Sequence, residues 1–188
     1  MVNVKVFIEL TVPQYLIITL ISPIAAWLLI TGITFSFELL LSMISLSFAM
    51  LGFNTLNMIF DKDLDKINKP LRPLPSGQIS VKRTLLFMFV FYAISLPIAA
   101  LGGIKLFLVI IAFIAISFFY TNPITRIKKY FWSSSIIGAL IYGTLPFMTA
   151  WAISNKPLPW IFLFFFTFLI FFIAPSKDIE DIEGEKKT

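Results

Sequence analysis

The 188-residue chain is 59% hydrophobic and only 13% charged, with a mean hydropathy of +0.93 and a net charge of +5. Soluble domains carry roughly 45–50% apolar and about 25% charged residues, so this composition excludes a water-soluble globule and indicates an integral membrane protein. With no Cys and no His, it also excludes thiol nucleophiles, imidazole acid–base pairs and zinc sites built on those ligands; the basic balance reads as loop charge beside a membrane, not as a nucleic-acid surface.

Met1 to Glu9 is short and polar enough to lie at the surface, and the long apolar run behind it does not fit a signal peptide. The apolar runs then predict an all-α polytopic membrane helical bundle, a single domain over residues 1–188. About six spans are expected: Pro13–Gly32, Phe37–Phe60, Thr84–Gly102, Lys105–Tyr120, Trp132–Ile153 and Pro159–Ala174. Most reach the near-20 residues that a hydrocarbon core of about 30 Å requires; the fourth is short. Pro23, Pro97 and Pro146 fall inside spans. Neighbouring helices can satisfy the carbonyls that a membrane proline frees, so each reads as tolerated, with a kink as the alternative.

Charge in the connections sets the expected orientation. Of 15 basic residues, Lys105 and Lys156 stand alone on one side and the rest on the other. The positive-inside rule then puts both termini and the two charged loops in the cytoplasm. Asp61, Asp65, Asp178, Asp181 and Glu185 fall on that same side, where two acidic segments can converge.

The first acidic segment closes the second span. Asn57, Asp61 and Asp65 are spaced four apart and share one face of a helix. Acids at a helix C-terminus oppose the macrodipole, and a cation would relieve them; Mg²⁺ held by one or two carboxylates plus substrate phosphates fits. A solvated helix end, with Asp63 and the lysines in water, fits the same spacing. In KDIEDIEGE, residues 177–185, Asp178, Asp181 and Glu185 also share a helical face, and an acidic tail without a role is the alternative. Arg72, in RPLPSG, carries a fork suited to phosphate oxygens on a loop stiffened by Pro70, Pro73 and Pro75. Tyr120, Arg126, Lys128 and Lys129 either complete a diphosphate clamp or serve as interfacial and topology residues. Most of the 22 Phe read as lipid-facing or packing residues, and a few lining a pocket would face an allylic cation with their rings.

Asn57–Asp65 followed by KPLRPLPSG, with KDIEDIEGE downstream, resembles the UbiA superfamily of intramembrane aromatic and lipid prenyltransferases. The NxxxDxxxD signature falls on Asn57, Asp61 and Asp65, and the DxxxD signature on Asp181 and Glu185, preceded by Asp178. Met58 stands where many members have Asp, and Glu185 where the second Asp is usual. The RPLPSG wording is most similar to the archaeal branch that prenylates geranylgeranylglyceryl phosphate, and also to chlorophyll synthases.

The resemblance implies a helical bundle around a cavity opening to the bilayer, and a prenyl diphosphate bound through Mg²⁺. Asp61, Asp65 and Asp181 would be the catalytic carboxylates. Asn57, Asp61, Asp65, Asp178, Asp181 and Glu185 would form the metal set, and Arg72, Tyr120, Arg126 and Lys128 would hold diphosphate. The acceptor would be a hydrophobic molecule, a lipid glycerol phosphate first and an aromatic ring second. The family's last three spans have no counterpart in the 188 residues. That would leave one side of the bundle to membrane lipid or to a second copy of the chain, and makes an isoprenoid-binding remnant an alternative. A cation carrier is disfavoured, because ion pathways place acids at depth and Glu38 alone lies within a span, near its outer end.

Overall fold

In the computed structural model the described residues are 4–125, 127 and 131–173. They form α1 (Val4–Thr11), α2 (Gln14–Thr31), α3 (Phe37–Phe60), α4 (Lys62–Asn68), α5 (Val81–Leu101) and α6 (Ile104–Thr121). After these come α7 (Phe131–Ala139), a π-helical turn (Leu140–Thr144), α8 (Leu145–Ser154) and α9 (Trp160–Ile173). Five helical stretches are long and apolar enough to cross a membrane: α2, α3, α5, α6 and the α7–α8 run; α9 is apolar but shorter. The expected spans therefore stand within a few residues of the helices found. The fourth corrects the reading of a short span: Thr121 and Ile104 extend it to 18 residues.

The bundle is centred on α3, which packs most extensively against α5 and also meets α2, α6 and α8. At 24 residues it is about 36 Å long. Its inner face carries small residues, which let neighbouring backbones approach closely. Gly52 is the tightest of these: a Cβ there would lie 2.3 Å from the Tyr92 ring of α5. Hydroxyls replace apolar contact at several crossings. Ser95 Oγ donates to the Ser45 carbonyl at 2.7 Å, and Thr19 Oγ1 and Ser47 Oγ are 2.9 Å apart. Such bonds satisfy polar groups that lipid cannot.

The three span prolines differ in effect. Pro23 and Pro97 lie inside uninterrupted helices. Ahead of Pro146 the helix changes register, and the Leu145 N–H bonds to the Leu140 carbonyl five residues back. Pro146 has no N–H to give, and the wider turn takes up the altered bonding. Thr144 Oγ1 then meets Thr167 Oγ1 of α9 at 2.7 Å. Beside this contact an apolar cleft of about 600 Å³ lies between α7 and α9, lined mainly by Ile136, Leu140, Phe164 and Phe168.

The N-terminal segment, expected at the surface, exposes Phe7 and Ile8 there and buries its other side. It forms α1, whose Val6 and Leu10 are buried with Met58, Leu74 and Ile79 in a second, smaller core. Heptad-like spacing of Val6 and Leu10 puts both on one face. Val12 turns the chain from α1 into α2 at a φ of 48°, an uncommon conformation for a β-branched residue.

Candidate active site

The end of α3 builds one wall of the site. The α-helix stops at Phe60, Asp61 takes φ −89° and ψ 4°, and α4 begins at Lys62. The bonding pattern nevertheless runs through the junction: the Asp61 N–H donates to the Asn57 carbonyl at 2.9 Å and the Asp65 N–H to the Asp61 carbonyl at 2.7 Å. Asn57, Asp61 and Asp65 therefore keep the four-residue register expected of them. Asn57 and Asp61 are half-buried and Asp65 is buried. Asp63, between them, points to water and pairs with Lys66 at 2.8 Å.

Arg72 reaches back across the loop to Asp65. Its Nη1 donates to Oδ1 at 3.0 Å and Oδ2 at 2.8 Å. The expected metal ligand and the expected diphosphate ligand are thus in contact with each other. Burial pushes the Asp65 carboxyl above its ordinary proton affinity; the Arg72 hydrogen bond and charge oppose this without cancelling it, and the nearby Asp61 charge adds to the rise. A buried carboxylate needs a cation, and here Arg72 supplies one.

The loop that carries Arg72 is ordered by its own backbone. Arg72 N–H donates to the Lys69 carbonyl at 3.0 Å, and the Arg72 carbonyl accepts from Ser76 N at 3.0 Å and Ser76 Oγ at 2.7 Å. Gly77, at φ 78°, supplies the left-handed residue this turn requires. Leu74 and Ile79 anchor the loop in the small core beneath α1. Asn54, one turn deeper on α3 than Met58, donates from Nδ2 to the Thr11 carbonyl at 3.0 Å and ties the end of α1 to the bundle. Sequence reading missed both Asn54 and α1. The amphipathic spacing of α1 was the available signal; nothing in the sequence pointed Asn54 at Thr11.

Tyr120, expected at the diphosphate, lies at the end of α6, buried, with its hydroxyl 3.1 Å from Ser134 Oγ of α7. Its ring is 6.3 Å from that of Phe53, which also faces Phe113 at 6.3 Å and Tyr142 at 6.2 Å. Phe53 precedes Asn57 by four residues, so this aromatic group sits one turn deeper than the amide on the same side of α3. Arg126, Lys128, Asp178, Asp181 and Glu185 lie outside the described residues. Among the described residues no three carboxylates gather as a metal site; this wall offers two carboxylates and an amide.

Comparison with known proteins gives a consistent result. The sequence profile of the UbiA prenyltransferase family matches residues 15–188. The chain is 31% identical over 154 residues to the digeranylgeranylglyceryl phosphate synthase of Sulfurisphaera tokodaii, covering 79% of this chain and 53% of that protein. It is 28% identical to the synthase of the same name from Sulfolobus acidocaldarius, covering 98% of this chain and 66% of that protein. Its fold is similar to the structure of a UbiA homolog from Archaeoglobus fulgidus bound to GPP and Mg²⁺, with a TM-score of 0.82 and 26% identity over 95% of this chain and 65% of that one. The chain thus spans between about half and two-thirds of the length of these relatives.

Proposed function

Because this chain belongs to the UbiA prenyltransferase family, we propose that it moves a prenyl group from a prenyl diphosphate, geranylgeranyl diphosphate first, to a lipid acceptor of the geranylgeranylglyceryl phosphate type. The observation that carries the reading is the Asn57–Asp61–Asp65 register, preserved through the α3–α4 junction, with a guanidinium already seated on its deepest carboxylate.

The residues present fit a magnesium ion. Its habit is hard oxygen ligands, one or two of them carboxylates, with the rest from waters and substrate phosphates. Asp61 and Asp65 would supply the carboxylates and Asn57 a further oxygen, and Asp65 already holds a cation, Arg72, at the same oxygens. Asp178, Asp181 and Glu185 are proposed to complete the set from the second motif. Bound there, Mg²⁺ would supply stabilisation of the charge that develops on departing diphosphate.

The chain's own groups account for the rest of the proposed reaction. Arg72, with Arg126 and Lys128, holds phosphate oxygens as the allylic C–O bond breaks and its electron pair leaves with diphosphate. The acceptor hydroxyl oxygen then bonds to the allylic carbon, and its proton passes to the diphosphate or to water. The acid stripe is proposed to face the cytoplasm, where positive-inside charge places it.

The test uses the purified chain with geranylgeranyl diphosphate, geranylgeranylglyceryl phosphate and Mg²⁺, following diphosphate release and lipid product together. Product that disappears with EDTA and with Asp61→Ala is the expected result. Product formation unaffected by Asp61→Ala removes the site assignment, and diphosphate release without product keeps the ionising site but points to another acceptor.

A further inference from the structure

Asp65 and Arg72 belong to different halves of the proposed machinery, yet they bind one another. Both oxygens of the Asp65 carboxylate accept from the same Arg72 nitrogen, at 3.0 and 2.8 Å. While that contact stands, Nη1 occupies a position on both carboxylate oxygens that a metal ion would take, and that nitrogen is not available to a diphosphate. The two ends of the pair are held differently. Asp65 is buried on a helix whose N–H remains in the α3–α4 bonding register. Arg72 has its backbone pinned by Lys69 and Ser76, but its side chain is partly exposed. The side chain that can move without disturbing the fold is therefore that of Arg72.

Building on the metal-site reading above, we propose that Arg72 is a placeholder cation. It neutralises Asp65 in the substrate-free protein and yields it when a divalent ion and diphosphate enter together, turning its guanidinium onto the diphosphate. Asp65 exchanges one cationic partner for another and is never left buried without one, which in a low-dielectric setting is the costly state. Arg72 makes the complementary exchange, carboxylate for phosphate, and its planar fork suits both. One consequence is specific. Arg72 competes with a metal ion presented alone and cooperates with a metal ion presented with diphosphate, so the two ligands are coupled through one side chain.

The experiment measures Mn²⁺ binding to the full chain in detergent by the loss of the free-ion electron paramagnetic resonance signal, with and without inorganic diphosphate. It compares wild type with Arg72→Gln, Arg72→Lys and Asp65→Asn. Arg72→Gln is expected to bind Mn²⁺ alone on the order of tenfold more tightly than wild type, and to lose most of the tightening that diphosphate gives wild type. Arg72→Lys keeps a cation beside Asp65 if the glutamine variant fails to fold, and its single ammonium, a less committed partner than the fork, is expected to let Mn²⁺ alone bind several-fold more tightly than in wild type. Mn²⁺ affinity unchanged or weakened in the two Arg72 variants overturns the exchange. If Asp65→Asn binds Mn²⁺ as wild type does, Asp65 is not a ligand; the metal-site reading itself then fails, and the exchange falls with it.

Discussion

Arg72 Nη1 spans both carboxylate oxygens of Asp65, but the two side chains meet water very differently: 29% of Arg72 is exposed against 4% of Asp65. Removing either partner breaks the same contact and leaves a different residue behind. Arg72→Gln strands a buried carboxylate, and cutting one member of a buried pair costs about 3–5 kcal/mol. Asp65→Asn leaves only a part-exposed guanidinium that can hydrate. In metal-free buffer, thermal unfolding is expected to place Arg72→Gln well below both wild type and Asp65→Asn.

The raised proton affinity of Asp65 gives a sign to its pH dependence. Its folded-state pKa stands above the ordinary 3.8 because burial outweighs Arg72. Between those two values the folded chain holds more protons than the unfolded one, so stability falls as pH rises through the window and the cost persists above it. Thermal stability of wild type relative to Asp65→Asn, measured in EDTA, is expected to improve steadily toward pH 4. A flat difference removes Asp65 as the cause. Asp63 shifts the opposite way through Lys66, but it lies in water and salt is expected to erase its effect.

Gly52 and Tyr92 define the closest contact between α3 and α5. A Cβ at residue 52 would sit 2.3 Å from the Tyr92 ring, so Gly52→Ala is expected to cost about 1–3 kcal/mol through overpacking. The Tyr92 hydroxyl is buried and finds no partner among the described residues. Tyr92→Phe is therefore expected to be neutral or stabilising by about 1 kcal/mol. Tyr92→Leu should recover much of the loss in Gly52→Ala, and additive losses in the double variant would show that the two residues do not share the contact.

Asn54 offers a prediction that links the small core to the site. Asn54→Leu removes the donor to the Thr11 carbonyl and leaves that buried acceptor unmatched, at about 1–3 kcal/mol. Since α1 packs on Leu74 and Ile79 of the Arg72 loop, proteolysis of residues 69–79 is expected to quicken in this variant. Unchanged cleavage there would mean that the loop is ordered by its own turns alone.

Much of the fold was legible because it rests on local properties. The length of an apolar run and its bounding Gly, Pro and charged residues state where a span begins and ends, and helices at α2, α3, α5, α6 and α7–α8 stand where those runs lie. The register of Asn57, Asp61 and Asp65 was legible for the same reason, since helical periodicity survives the break at Asp61. Polarity misled at α1, where Lys5 and Glu9 masked the buried pair Val6 and Leu10. The shared face of Asp178, Asp181 and Glu185 remains a sequence reading.

By itself, then, the sequence determined a membrane helical bundle with an acidic stripe at the end of its central helix, because hydrophobic run length and residue spacing are written along the chain. Only the tertiary structure decided that Arg72 rests on Asp65, that Tyr120 turns to Ser134 and that Asn54 holds Thr11. Each of these is a choice of partner between side chains and backbone on separate elements. Such choices follow from how the helices pack, which buries some polar groups and leaves each of them to find whatever donor or charge the fold brings within reach.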